Sequence, residues 1–246
     1  LTGAVSDVKS DALTRSVSTT TAGALSGKIA GISTRAVDAR PGRGINLEIR
    51  NMGSPLFVID GIPYGGMNSR DWLQASDVSG NDVFNALNIE DIESITVLKD
   101  ASAAIYGAEA GNGVVLSATK KGKAGQGKIS YDFQWSSQSL ARIPAMLNAE
   151  QYIDYMVESQ TFTENELRNG WDGVTNTAWT DVAFDNSQMQ KHNVSFTNGS
   201  ENGNYYLSLT YLDNNGIVKG DVDVYKRLTA TINSEYEIKP WLKVGT

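Results

Sequence analysis

The side chains best suited to holding a ligand lie between Tyr64 and Val83: Tyr64, Asn68, Arg70, Asp71 and Trp72, in a run rich in glycine, asparagine and serine. Aromatic faces stack on sugar rings or peptide planes, and the amide and charged groups add directional hydrogen bonds. A surface loop anchored by one tryptophan would have the same composition, so both readings stand. Metal and catalytic chemistry are poorly supplied. His192 is the one histidine and there is no cysteine, too few ligands for a transition-metal site. Asp172, Asn176, Asp181, Asp185 and Asn186 are oxygen donors, but their spacing matches no EF-hand loop and reads as a solvated segment. Asp91 with Glu93, and Glu235 with Glu237, would share a strand face, yet nothing supplies the second wall of a cleft. No nucleophile elbow or P-loop occurs. Gly107 to Gly113 falls between a helix and a strand, the wrong context for a dinucleotide. The chain reads as a non-enzyme without metal or cofactor.

The elements that position these residues come in two styles. In the first, Ser18 to Thr21 can cap a helix containing Leu25 and Ile29, which Gly31 would stop. Ile32 to Ala36 is a short strand candidate. Ile45, Leu47 and Ile49 alternate with polar residues in a half-buried strand. Leu56 to Ile59 is wholly apolar and suits burial on both faces. A strand through Ile95 and Val97 follows, then Asp100 as a cap, a short helix over Ala101–Tyr106 and Gly107 as its left-handed stop. Gly111-Asn112-Gly113 turns the chain into a last strand, Val114 to Thr119.

From Lys128 the pattern changes to long alternation. Ile129, Tyr131, Phe133 and Trp135 alternate with polar residues over about the length of a tilted membrane strand. Val194 and Phe196, then Tyr205, Leu207, Leu209 and Tyr211, then Leu228, Ala230, Ile232, Tyr236 and Ile238 repeat it, and Trp241 opens a fifth strand. The connections run long, short, longer, short, as external loops and periplasmic turns do in outer-membrane barrels. In the first connection Asn148 with Gln151, and Thr163 with Glu166, mark helix starts.

The chain has 246 residues, 40% of them hydrophobic, and a net charge of −7. That is ample for a core and argues against non-specific nucleic-acid binding. No apolar run reaches the ~18 residues of a membrane helix, a test to which barrel strands are invisible. No basic and apolar leader opens the chain, so any signal peptide is expected to be already absent.

Two segments, P-L-F-V-I-D-G-I-P at residues 55–63 and I-E-S-I-T-V-L-K-D-A-S-A-A-I-Y-G at 92–107, resemble the plug of SusC/RagA-type TonB-dependent outer-membrane transporters, in the family's order. The resemblance implies an α+β plug domain over residues 1–122, followed over 123–246 by the antiparallel transmembrane strands and first external loops of a β-barrel. Such plugged barrels have ~22 strands, and five cannot close without leaving unpaired amides in lipid, so the chain is expected to be a fragment. It further implies active import of a bulky oligosaccharide or peptide across the outer membrane of a Gram-negative bacterium. The implied partners are a SusD-like surface lipoprotein and the TonB complex. By the same resemblance, the loop with Tyr64 and Trp72 faces the external vestibule, and Arg50 locks the plug to a barrel-wall carboxylate. Three features depart from the family: Asn51 follows Arg50 where glycine is usual, Glu109 replaces a frequent arginine, and the connection Asn51 to Pro55 is short. The alternative is a soluble binding or adhesion module, a small α/β domain joined to a β-sandwich.

Overall fold

The computed structural model describes residues 4–36, 38, 40–64, 79–123, 125–220 and 222–246. The first part contains β1 (Ala4–Lys9), α1 (Ser10–Thr14), α2 (Thr21–Leu25), β2 (Ile32–Ala36), β3 (Ile45–Ile49), β4 (Leu56–Ile59), β5 (Ile62–Tyr64), α3 (Gly80–Ala86), β6 (Ile92–Lys99) and β7 (Val114–Thr119). Five strands form a mixed sheet in the order β1-β6-β7-β4-β5, and β2 and β3 form a separate hairpin. β4 runs parallel to β7 and is buried along its whole length, as its unbroken apolar run requires. Phe57 packs on Phe84 of α3 with ring centroids 4.9 Å apart. Leu13, Leu25, Ile49, Ile92 and Ile95 close the same core.

Local chemistry explains the turns. Asp60 and Gly61 both take positive φ, 50° and 87°, the geometry of the two-residue turn that joins tight hairpins. Ile59 pairs with Ile62 across it. The Asp60 carboxylate accepts from the Thr119 amide at 2.8 Å and hydroxyl at 2.6 Å, tying the turn to β7.

Four expectations change. Residues 4–14, where the sequence pattern marks no element, form β1 and α1; register on β6 and the buried Leu13 hold them. α2 stops at Leu25, short of Gly31. The run to Val83 is not all loop, because Ser79 and Asp82 make a reciprocal capping box that starts α3. Asp100 caps nothing: it has φ 55° and opens the 3-10 helix Asp100–Tyr106, and its carboxylate is taken by Arg50. Gly107 does end that helix with φ 80°.

The second part is a sequential antiparallel sheet: β8 (Gly125–Gln138), β9 (Ser187–Gly199), β10 (Gly203–Asn215), β11 (Val224–Lys239) and β12 (Leu242–Gly245). Helices α4 (Ala149–Glu158), α5 (Glu164–Arg168) and α6 (Trp179–Ala183) lie in the connection from β8 to β9. Asn148 and Thr163 head their capping boxes as expected. The sheet is inside out compared with a soluble one. Ile129 is 73% exposed and Leu228 69%, whereas Thr210 is 1% and Asn193 2% exposed. Register brings Tyr131, Val194, Leu209 and Ala230 into one outward row. An apolar outer face over a polar inner one is how a barrel wall meets lipid and lumen. No helix among the described residues is long and apolar enough to cross a membrane.

Candidate functional site

The two parts meet along a polar seam built from a short turn of the first and the inner face of the second. The turn is Asn88 followed by the 3-10 helix Ile89–Asp91, with Ile89 buried beneath it. That anchor turns the neighbouring polar side chains outward onto β9, β10 and β11. Asn88 Nδ2 donates to Thr210 Oγ1 at 2.7 Å, and Asn193 Nδ2 donates to the same oxygen at 2.7 Å. Glu90 Oε2 lies 2.5 Å from Lys191 Nζ, with side chains 16% and 4% exposed. Asp91 is buried and accepts from the Tyr206 hydroxyl on β10 and the Thr231 hydroxyl on β11, each at 2.8 Å. Lower on the wall, Asn233 Nδ2 donates to Thr119 Oγ1 and to the Lys120 carbonyl, both at 2.8 Å. Since Thr119 in turn donates to Asp60, a hydrogen-bonded chain runs from β11 into the turn after β4.

Charge is divided unevenly across the seam. The turn contributes two carboxylates, and the wall contributes one ammonium together with hydroxyls and amides. A buried carboxylate needs its oxygens satisfied, so Asp91 depends on two hydroxyls from two different strands. The chain then crosses between the parts at Gly122. A Cβ there would lie 2.2 Å from the Tyr205 backbone nitrogen and 2.5 Å from the Asn198 carbonyl. Only a residue without a side chain passes so close to a strand backbone.

The expected site residues are placed as follows. Tyr64 ends β5 and is half-buried against the core. Asn68, Arg70, Asp71 and Trp72 lie outside the described residues. Arg50 has φ 53° at the end of β3 and donates to Asp100 at 2.6 Å, with both side chains about half exposed. Its described partner is thus within the first part of the chain. Asp91 and Glu93 do not act together: Asp91 is in the seam, and Glu93 is half exposed, 3.8 Å from Lys123. Glu235 and Glu237 share Lys243 near the end of β11. His192 faces outward, accepting from or donating to the Tyr131 hydroxyl at 2.7 Å. Asp172 folds back on the Thr175 hydroxyl and on the amides of Val174 and Thr175, so it serves its own turn. Among the described residues no group of three or more histidine, cysteine or acidic side chains is placed to hold a metal ion.

Sequence reasoning missed the seam. The available signal was the set of polar residues on the non-lipid side of β9–β11, which alternate with the apolar residues that define the strands.

Residues 1–114 match the family of the TonB-dependent receptor plug domain. The chain is 36% identical over 241 residues to the TonB-dependent receptor SusC of Bacteroides thetaiotaomicron, covering 95% of this chain and 23% of that protein. It is 35% identical over 231 residues to the TonB-dependent receptor P26 of Formosa agariphila, covering 89% of this chain and 22% of that protein. The chain therefore spans less than a quarter of the length of these relatives. Among solved structures, the RagAB peptide transporter superposes with a TM-score of 0.77 at 27% identity, covering 99% of this chain and 30% of that one.

Proposed function

Because this chain is the plug and first barrel strands of a SusC/RagA-type TonB-dependent receptor of the Gram-negative outer membrane, we propose that the whole protein actively imports a bulky oligosaccharide or peptide. The carrying observation is the buried polar seam: a plug seated by hydrogen bonds and an ion pair can be held shut yet is open to rearrangement, since such contacts exchange for water. A SusD-like lipoprotein closing the outer mouth and the TonB complex acting from the periplasm complete the proposal, with residue 122 as the boundary between plug and wall. Movement of the plug under load would be local unfolding within a persistent barrel. Uptake of labelled oligosaccharides and peptides by cells carrying the full-length protein, with and without proton-motive force, tests the reading. Energy-independent uptake would reject it.

The loop with Tyr64, Asn68, Arg70, Asp71 and Trp72 is proposed as part of the floor of the external cavity. Trp72→Ala is expected to weaken equilibrium binding of the nutrient to detergent-purified full-length protein by roughly threefold to tenfold, the worth of one aromatic contact. Binding indifferent to both Trp72→Ala and Tyr64→Ala would remove the plug from recognition.

Arg50 is proposed to reach a wall carboxylate in addition to Asp100. Its half-exposed guanidinium has donors to spare. Arg50→Ala should leave folding intact, because exposed pairs contribute only about 0–1 kcal/mol, while raising passive antibiotic entry. Unchanged permeability would leave Asp100 as its sole partner.

A further inference from the structure

The mixed sheet of the first part is bonded to the wall along one rim. Asp91 leads into β6 and bonds β10 and β11, while Thr119 ends β7 and bonds Asn233 of β11. β4 runs parallel to β7 and reaches the same rim, where Asp60 is tied to Thr119. From that rim the strands lead away from β8–β12. Among the described residues no side-chain hydrogen bond or ion pair joins residues 94–99 or 114–118 to those strands.

The opposite rim holds the connection from β6 to β7: the 3-10 helix Asp100–Tyr106 and the 3-10 turn Ala108–Ala110. The end of the β3–β4 connection is fastened there, Asn112 Nδ2 donating to the Ser54 carbonyl at 3.2 Å. This rim is apolar where the first is polar. Ile105 is 81% exposed, Met52 58% and Tyr106 36%. Singly, such residues need no explanation; three along one rim mark a contact surface. Asp100 is paired with Arg50, but Glu109 is exposed and has no ion pair among the described residues.

We propose that this far rim is a second seat of the plug, and that its occupant is the inner face of wall strands that follow residue 246. The reach fits. A wall of ~22 strands, spaced ~4.8 Å and tilted ~40°, is about 44 Å across between backbones. Packed backbones stand ~10 Å apart, which leaves about 24 Å once both contacts are made. β6 has eight residues and spans about 23 Å. The chain covers 23% of SusC, so most of the wall lies in sequence beyond it. That opposite wall is expected to depart from the polar inner face of β9–β11. It carries apolar residues at inward positions to cover Ile105 and Tyr106, and a lysine or arginine facing Glu109. The seat follows from closure of the barrel around the plug and is independent of the cargo.

The test uses the full-length protein in outer membranes with the photoreactive change Ile105→p-benzoylphenylalanine. After irradiation and digestion, mass spectrometry should find position 105 joined to a peptide from beyond residue 246 that contains a lysine or arginine. Should heat-modifiable gel mobility show that this variant does not fold, the same probe at Tyr106 decides. Joining only within residues 1–246, to a different protein, or to no peptide overturns the seat. Glu109→Lys would set two like charges together and should raise amide exchange across residues 100–110 about tenfold or more. Changing the basic residue of the joined peptide to glutamate should then restore the wild-type rate. Exchange unchanged by Glu109→Lys overturns the assigned charge pairing.

Discussion

Lys191→Met in the full-length protein is expected to loosen the plug's seat by about 3–5 kcal/mol, the cost of leaving a buried charge without its partner. Glu90 is the group left behind: its carboxylate sits 2.5 Å from Lys191 Nζ, and the lysine side chain is 4% exposed. The reciprocal change, Glu90→Gln, strands the ammonium on the wall. Combining Lys191→Met with Glu90→Leu should recover most of the loss, since an apolar pair of similar volume often substitutes well for a buried ion pair. The readout is amide hydrogen exchange across residues 88–92 in the detergent-solubilised protein, where the opening free energy should fall in the single variants. Arg168→Ala provides the scale: its ion pair with Glu164 spans four residues of an exposed helix and should be worth under about 1 kcal/mol. A Lys191→Met effect no larger than that would mean the seam is open to water.

Phe133→Arg should be nearly as damaging, for the opposite reason. Phe133 is 56% exposed and lies in an outward row with His192, Tyr211 and Leu228. In water that exposure would make an arginine harmless. In lipid the same substitution costs roughly 2–4 kcal/mol near the bilayer midplane. Asp132 points the other way, lining the polar cleft against α1, and Asp132→Asn should be mild. Heat-modifiable gel mobility of the two variants separates the cases. Equal tolerance would place the outer face of β8 in water and restore the β-sandwich reading of this sheet.

The strands of the wall were legible because lipid enforces a strict alternation that survives in single residues, such as Tyr131, Phe133 and Trp135. β4 was legible because four consecutive apolar residues have few other uses. β1 was not: its two valines give too little pattern, and it is held by register on β6 and by the buried Lys99, which donates to Ser6 Oγ at 3.1 Å and to the Ala30 carbonyl. The Asp100 cap was a fair local reading, defeated by a partner fifty positions away. The seam was hidden for a related reason. Its partners are separated by 114 to 140 positions in Asn233–Thr119 and Thr231–Asp91. A polar residue that faces a lumen also looks the same in sequence as one that faces water.

The crossing at Gly122 limits how this machine can move. Between Thr119, where β7 ends, and Gly125, where β8 begins, lie only residues 120–124. Pulled straight, such a leash reaches about 20 Å, short of the ~25 Å height of a barrel's apolar belt. On the proposed import reading, a plug tethered this way stays attached at the short-turn end of the wall, where Gly125 pairs with Gly199, and whatever displacement it makes is a swing or a deformation about that fixed end.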